Sequence, residues 1–109
     1  MIELDTIDSI EVIKGFNARF IHTSAMTLGY WDVEKGSVLP NHSHMHEQVT
    51  QVEDGEFQLT VNGDTRTYTK GMVAVIPPYV EHGGIALTDC RLFDIFQPVR
   101  EDYKSLRPL

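Results

Sequence analysis

Gly36-Ser37-Val38-Leu39-Pro40-Asn41-His42-Ser43-His44-Met45-His46-Glu47-Gln48-Val49-Thr50-Gln51-Val52-Glu53-Asp54-Gly55 is the stretch whose reading decides the fold. Three of the five histidines, His42, His44 and His46, fall here at every second position, and Gln48 continues the series. Alternate side chains of an extended strand share one face. The spacing therefore lines up four ligand-capable groups. Imidazoles on a buried strand face cost desolvation unless something coordinates or hydrogen-bonds them, and a divalent metal meets that need. The competing reading is a solvated polar loop after Pro40. A further ligand from elsewhere would close the site, and His82 is the candidate. It follows the Pro77-Pro78-Tyr79 turn, at the start of a strand able to pair beside the first segment. His22 stands alone and reads as a strand or surface histidine.

Outside this stretch, turn signals recur at short intervals: Lys14-Gly15, Lys35-Gly36, Asp54-Gly55, Asn62-Gly63, Lys70-Gly71, Pro77-Pro78 and Gly83-Gly84. Short strands with closely spaced turns predict an all-β sandwich or barrel. Strands are expected over 10–13, 19–22, 25–34, 48–53, 57–61, 64–69, 80–86 and 91–97. Asn62-Gly63 predicts a two-residue hairpin, because both positions tolerate positive φ. Met72-Val73-Ala74-Val75-Ile76 is a continuous apolar run and predicts a strand buried on both faces. The tail over 98–109 reads as coil or a short helix on the surface.

A chain of 109 residues with 41% hydrophobic residues supports one domain over 1–109 with a real core. A net charge of -7 argues against nucleic acid or an anionic membrane surface as partner. It leaves open a small acidic ligand, since a metal or a few local arginines can reverse the field inside a pocket. The single cysteine, Cys90, reads as a small buried thiol. No apolar run approaches the roughly 20 residues of a membrane span. The acidic start, Met1-Ile2-Glu3-Leu4-Asp5, lacks the basic and apolar regions of a signal peptide. A cytoplasmic location is the expectation.

The strand from Arg91 to Gln97 carries a second constellation. Leu92, Asp94 and Phe96 share one face, and Phe93 and Ile95 the other. A strand this apolar is buried, so Asp94 is a poorly solvated carboxyl whose pKa desolvation raises. That makes it a candidate general acid/base. The alternative is an aspartate that hydrogen-bonds a neighbouring backbone.

Gly36-x5-His42-x-His44-x3-Gln48-x6-Gly55 resembles the first cupin motif, and Gly71-x5-Pro77-x4-His82 the second. The two motifs span 36–55 and 71–86. The sequence departs from the pattern at Gln48, where glutamate is usual. Tyr79 stands where glycine is frequent, and Ala86 where asparagine is frequent. The resemblance implies a double-stranded β-helix, a jelly-roll barrel, with His42, His44, Gln48 and His82 as metal ligands. A bulge would turn His46 aside, and Glu47 competes as a ligand for the same reason. With Gln48, four neutral donors leave the full charge on the ion. One divalent transition metal is expected, among nickel, zinc, iron and manganese; imidazole suits copper as well.

Leu92-Phe93-Asp94-Ile95-Phe96-Gln97-Pro98-Val99-Arg100-Glu101-Asp102-Tyr103 is similar to the ending of the small KdgF-type cupins of pectin and alginate breakdown. Glutamine as a ligand fits that group, although the gap from His44 to Gln48 is one residue shorter. The resemblance implies an enzyme that converts 4,5-unsaturated monouronates to linear 4-deoxy-5-keto-uronates. Asp94 would move protons, Arg100 would pair with the uronate carboxylate, and Phe96 would form an apolar wall. Gln51 and Arg19 are further candidates for the pocket lining. The alternatives are a non-catalytic cupin that binds metal or sugar, an iron-dependent cupin dioxygenase and a sugar-phosphate isomerase. A homodimer is expected, as small cupins commonly pair and the fold leaves sheet edges to cover.

Overall fold

In the computed structural model, which describes residues 1–107, ten strands form two antiparallel sheets. They are β1 (Ile10–Ile13), β2 (Phe16–His22), β3 (Thr27–Val33), β4 (Val38–His42), β5 (Glu47–Asp54), β6 (Phe57–Val61), β7 (Asp64–Tyr68), β8 (Val73–Ile76), β9 (His82–Ala86) and β10 (Cys90–Gln97). One sheet runs β1-β2-β3-β10-β5-β8 and the other β4-β9-β6-β7. The turns reverse the chain where the sequence predicts, except at Gly83-Gly84, which lie within β9 across from Thr60 and Leu59. Asn62 (φ 49°) and Gly63 (φ 77°) join β6 to β7 through two left-handed residues.

The inner faces of the sheets pack an apolar core. Phe16, Ala18, Phe20, Trp31, Val33, Val52 and Leu92 come from the larger sheet, and Phe57, Leu59 and Ala86 from the smaller. Phe16 is the hub, edge-on to Trp31 at 6.2 Å and to Phe57 at 6.3 Å. Such ring pairs add a little beyond the area that they bury. Cys90 is buried as expected, with Sγ 3.1 Å from the Glu56 carbonyl. Among the described residues, no helix is long and apolar enough to cross a membrane.

Two expectations are corrected. Met72–Ile76 is not buried on both faces: Ala74 and Ile76 are inside, whereas Val73 and Val75 are 49% and 63% exposed. The reason is position, since β8 is the edge strand of the larger sheet and no layer covers its outer side. The tail is also more than a surface segment. It forms the expected short helix, α1 (Glu101–Lys104), and differs from the expectation in packing inward. The Tyr103 ring of α1 stacks on Phe20 at 4.8 Å and meets Phe96 edge-on at 5.6 Å. The tail thus packs against the barrel, while Pro108 and Leu109 lie outside the described residues.

Candidate metal centre

The histidine segment is not one strand. β4 ends at His42 and β5 begins at Glu47, so His44 and His46 sit in the connection between them. β4 pairs with β9 in the smaller sheet, and β5 pairs with β10 in the larger. The chain leaves the smaller sheet at His42 and joins the larger at Glu47, and it breaks where it crosses. That crossing makes the site. His42 lies directly across from His82 in the β4–β9 pair, as the expected pairing requires. His44 comes down from the loop, and Gln48 enters from the opposite sheet.

The nitrogens of His42, His44 and His82 lie within 4.8 Å of one another. Each Nδ1 rests against a backbone carbonyl: His42 on Pro40 (2.8 Å), His44 on His46 (3.1 Å) and His82 on Val80 (3.0 Å). A carbonyl oxygen only accepts, so each Nδ1 carries the proton and each Nε2 presents a lone pair. Burial, and then the Arg100 charge, lower the His44 pKa to about 4. Burial likewise lowers that of His82. These two imidazoles are therefore neutral near pH 7. Gln48 Oε1 stands 2.9 Å from His44 Nε2 and 3.1 Å from His82 Nε2, while Gln48 Nε2 donates to Thr50 Oγ1 at 2.9 Å. Converging lone pairs of three nitrogens and one oxygen are the donor set of a transition-metal ion. The amide turned over would instead satisfy the imidazoles through its NH2 group, and the Thr50 hydroxyl serves either orientation. The residues fit the ion.

His46 faces away from the three other rings' meeting point. Its Nε2 donates to the Val99 carbonyl at 3.3 Å. Glu47 is exposed and paired across from Gln97. Tyr79, at the glycine position of the second motif, takes φ 66°, the conformation glycine favours, and its N–H donates to the His44 carbonyl at 2.8 Å. A strained backbone residue thus holds the histidine loop.

Asp94, Phe96 and Arg100 gather at the same end of the barrel. Asp94 faces Thr50 on one neighbouring strand and Gly29 on the other, and Phe96 faces Gln48. Burial raises the Asp94 pKa to about 6, with the Thr50, Gln48 and Trp31 side chains beside it holding the rise in check. The Phe96 ring meets His44 edge-on at 5.9 Å. Arg100 lies over the rings of Tyr103 (3.8 Å) and Phe96 (4.7 Å). Asp102 holds it through Nε (2.9 Å) and Nη2 (2.8 Å), which leaves Nη1 buried without a partner. Burial opposes the Arg100 charge, and the Asp102 fork outweighs it.

Space for a ligand adjoins these groups. A cavity of about 40 Å³ lies among His42, Gln48, His82, Asp94 and Phe96. A wider one of about 290 Å³, bordered by His42, Trp31 and Arg100, lies toward the mouth. Gln51 and Arg19 do not reach either. They stand on the outer face of the larger sheet, where Arg19 donates to the Ile7 carbonyl at 3.0 Å and Gln51 pairs across from Phe93. Each alternates with inward neighbours, Phe20 and Thr50 among them, and so points out. His22 stays apart, with Nδ1 2.9 Å from Thr27 Oγ1. Sequence reasoning missed Trp31, Thr50 and Asp102. Thr50 was legible as the next inward residue after Gln48, and Trp31 as the inward neighbour of Gly29; Asp102 lies in the ending that resembles the KdgF-type cupins, with only its charge to suggest a role beside Arg100.

A jelly-roll barrel with a three-histidine centre across its two sheets defines a class of small-molecule-binding and metal-binding barrels. The Cupin domain family model matches residues 29–96, and the chain belongs to the cupin family. A comparison with curated proteins finds no match. An RmlC-like cupin from Shewanella frigidimarina is similar in structure, with 28% identity, TM-score 0.90 and 94% of each chain covered. KdgF from a Halomonas species is 29% identical, with TM-score 0.83 over 88% of this chain and 90% of that one. Salicylate 1,2-dioxygenase from Pseudoaminobacter salicylatoxidans, at 21% identity and TM-score 0.75, shares the fold over 80% of this chain and 26% of its own.

Proposed function

We propose that this cupin opens 4,5-unsaturated monouronates to 4-deoxy-5-keto-uronates. The observation that carries the reading is the placing of Asp94 and Arg100, about half the chain from the histidine segment, against one shared centre. The likeness to KdgF supports it. A divalent ion on His42, His44, His82 and Gln48 Oε1 would keep its charge among four neutral donors and polarise ligand oxygens. The C1–O5 bond breaks as the C1 hydroxyl gives up its proton and becomes an aldehyde. The C5 oxygen becomes a ketone when C4 takes a proton, so the reaction is a net isomerisation. Asp94, with its pKa near 6, accepts the first proton and returns one to C4. Arg100 Nη1 pairs with the uronate carboxylate. Phe96 walls the inner end.

Purified protein mixed with an unsaturated monouronate is expected to bleach the ultraviolet absorbance of the conjugated enol ether. Decay no faster than in buffer would end this reading. Arg100→Ala is expected to raise KM about 10- to 100-fold, the worth of one charge-assisted hydrogen bond, with a smaller change in kcat.

The proposal extends to a homodimer through the outer face of the larger sheet. Ile21, Leu28, Ile95, Val49 and Val75 are successive cross-strand partners and form one aliphatic row. Tyr30 and Phe93, with rings 4.9 Å apart, stand in the next. A solvated sheet face would carry polar residues here. The rim carries both signs, with Asp32 3.8 Å from Arg19 and 3.5 Å from Arg91, so a second copy meets no single-sign field. Light scattering is expected to give twice 12.4 kDa, and Ile95→Lys to give the monomer. A monomeric parent protein would refute the dimer.

A further inference from the structure

Four buried side-chain polar atoms among the described residues lack a hydrogen-bond partner: Trp31 Nε1, His46 Nδ1, Asp94 Oδ1 and Arg100 Nη1. Three of them belong to residues that border the two cavities. Trp31, Asp94 and Arg100 are each only 6% exposed. A buried donor or acceptor left unmade is costly, and three in one place make a polar site that a ligand's own groups can satisfy. Arg100 Nη1 is absorbed by the carboxylate of the proposed substrate. Trp31 and Asp94 are not yet matched.

These two groups are brought together by the β3–β10 register. Gly29 stands directly across from Asp94, and a Cβ on Gly29 would lie 2.8 Å from Trp31 Nε1. Only the missing side chain lets the indole fold back along β3 with its N–H beside the carboxyl. Glycine in mid-strand otherwise weakens a sheet. The Trp31 indole can only donate, and an ionised Asp94 can only accept. A hydroxyl group does both.

We infer that Trp31 is a ligand-reading residue: its indole N–H and the Asp94 carboxyl take the two sides of one ring hydroxyl of the bound sugar. This rests on the uronate reading and deepens it: the pair reads one of the two ring hydroxyls, at C2 or C3, that the substrate carries. A sugar lacking that hydroxyl would leave both protein groups unpaired, which is how a polar site rejects a deoxy analogue.

Trp31 is the chain's single tryptophan, so its indole N–H gives one proton–nitrogen resonance in the intact protein. Titration with the unsaturated monouronate, at a temperature where turnover is slow, is expected to move that resonance downfield and to saturate. Either the 2-deoxy or the 3-deoxy analogue should bind without moving it. In Trp31→Phe the affinity for the parent sugar should fall about 3- to 10-fold, and discrimination against that analogue should shrink by a similar factor. If Trp31→Phe does not fold, Gly29→Ala displaces the indole while keeping it, and the same loss is expected. Backbone resonances around the centre that respond while the indole stays still would overturn the inference. So would an equal indole shift with the parent and both analogues. If no resonance responds to any uronate, the uronate reading itself has failed.

Discussion

His82→Ala is expected to lower bound metal from about one ion per chain to near zero and to reduce turnover at least 100-fold. The reason is geometric. His82 is 1% exposed, its Nδ1 is tied to the Val80 carbonyl, and its Nε2 meets Gln48 Oε1 at 3.1 Å. It is also the cross-strand partner of His42, so it couples a donor of the smaller sheet to Gln48 of the larger. Without it, two histidines and an amide remain, and no carboxylate compensates. Loss even of an outer-shell partner commonly costs 10- to 100-fold in metal affinity, and loss of a direct ligand costs more. Elemental analysis checks the stoichiometry. Thermal unfolding gives a second reading. Metal at about 100 times its dissociation constant should stabilise the parent protein by about 2.7 kcal/mol and leave the variant unmoved. A variant that keeps its metal would show that the ion binds elsewhere.

Asp94→Asn is expected to lose activity and gain stability at neutral pH. Burial raises the carboxyl from 3.8 to about 6. The native state therefore holds this proton more tightly than the unfolded chain does. The contribution of Asp94 to stability is fully present below about pH 4 and is lost as pH rises through about 6. A shift of about two units is worth about 3 kcal/mol. Asparagine carries no charge at any of these pH values. In metal-free protein at pH 7.5 the variant should be more stable by up to about 3 kcal/mol, and the gap should close toward pH 4. Denaturant unfolding at several pH values measures this. Turnover should fall about 100-fold or more, the usual range for a lost acid/base. A variant less stable at pH 7.5 would show that the carboxyl bears no desolvation cost, and an active one that it moves no proton.

Much of the site was legible because its residues sit at fixed intervals. His42, His44, Gln48 and His82 meet as the two motif spacings imply, and the shortened gap still brings Gln48 within 2.9 Å of His44. Asp94 and Phe96 keep the face read from β10, since alternation is a local property of a strand. Alternation fails to say which face is inside. Arg19 and Gln51, candidates for the pocket lining, stand on the outer face, and Val73 and Val75, expected in a strand buried on both faces, face solvent. Those outcomes depend on which layer covers the sheet, which no single strand encodes.

The sequence by itself determined the all-β class, all but one of the turn positions, the identity of the clustered histidines and the buried carboxyl. The class, the turns and the buried carboxyl follow from short-range physics, backbone freedom at Asn62-Gly63 and period-two alternation; the histidines are named by the two motif spacings, since the segment that carries them is not one alternating strand. Only the tertiary structure decided that the histidine segment breaks between two sheets, so that His44 hangs from a loop while His42 pairs with His82. It alone folded the tail back to bring Arg100 and Tyr103 over Phe96, and set Gly29 opposite Asp94 beneath the Trp31 indole. These are contacts between residues far apart in the chain. Their pairing is fixed by sheet order and register, which are settled when the two sheets close over one core.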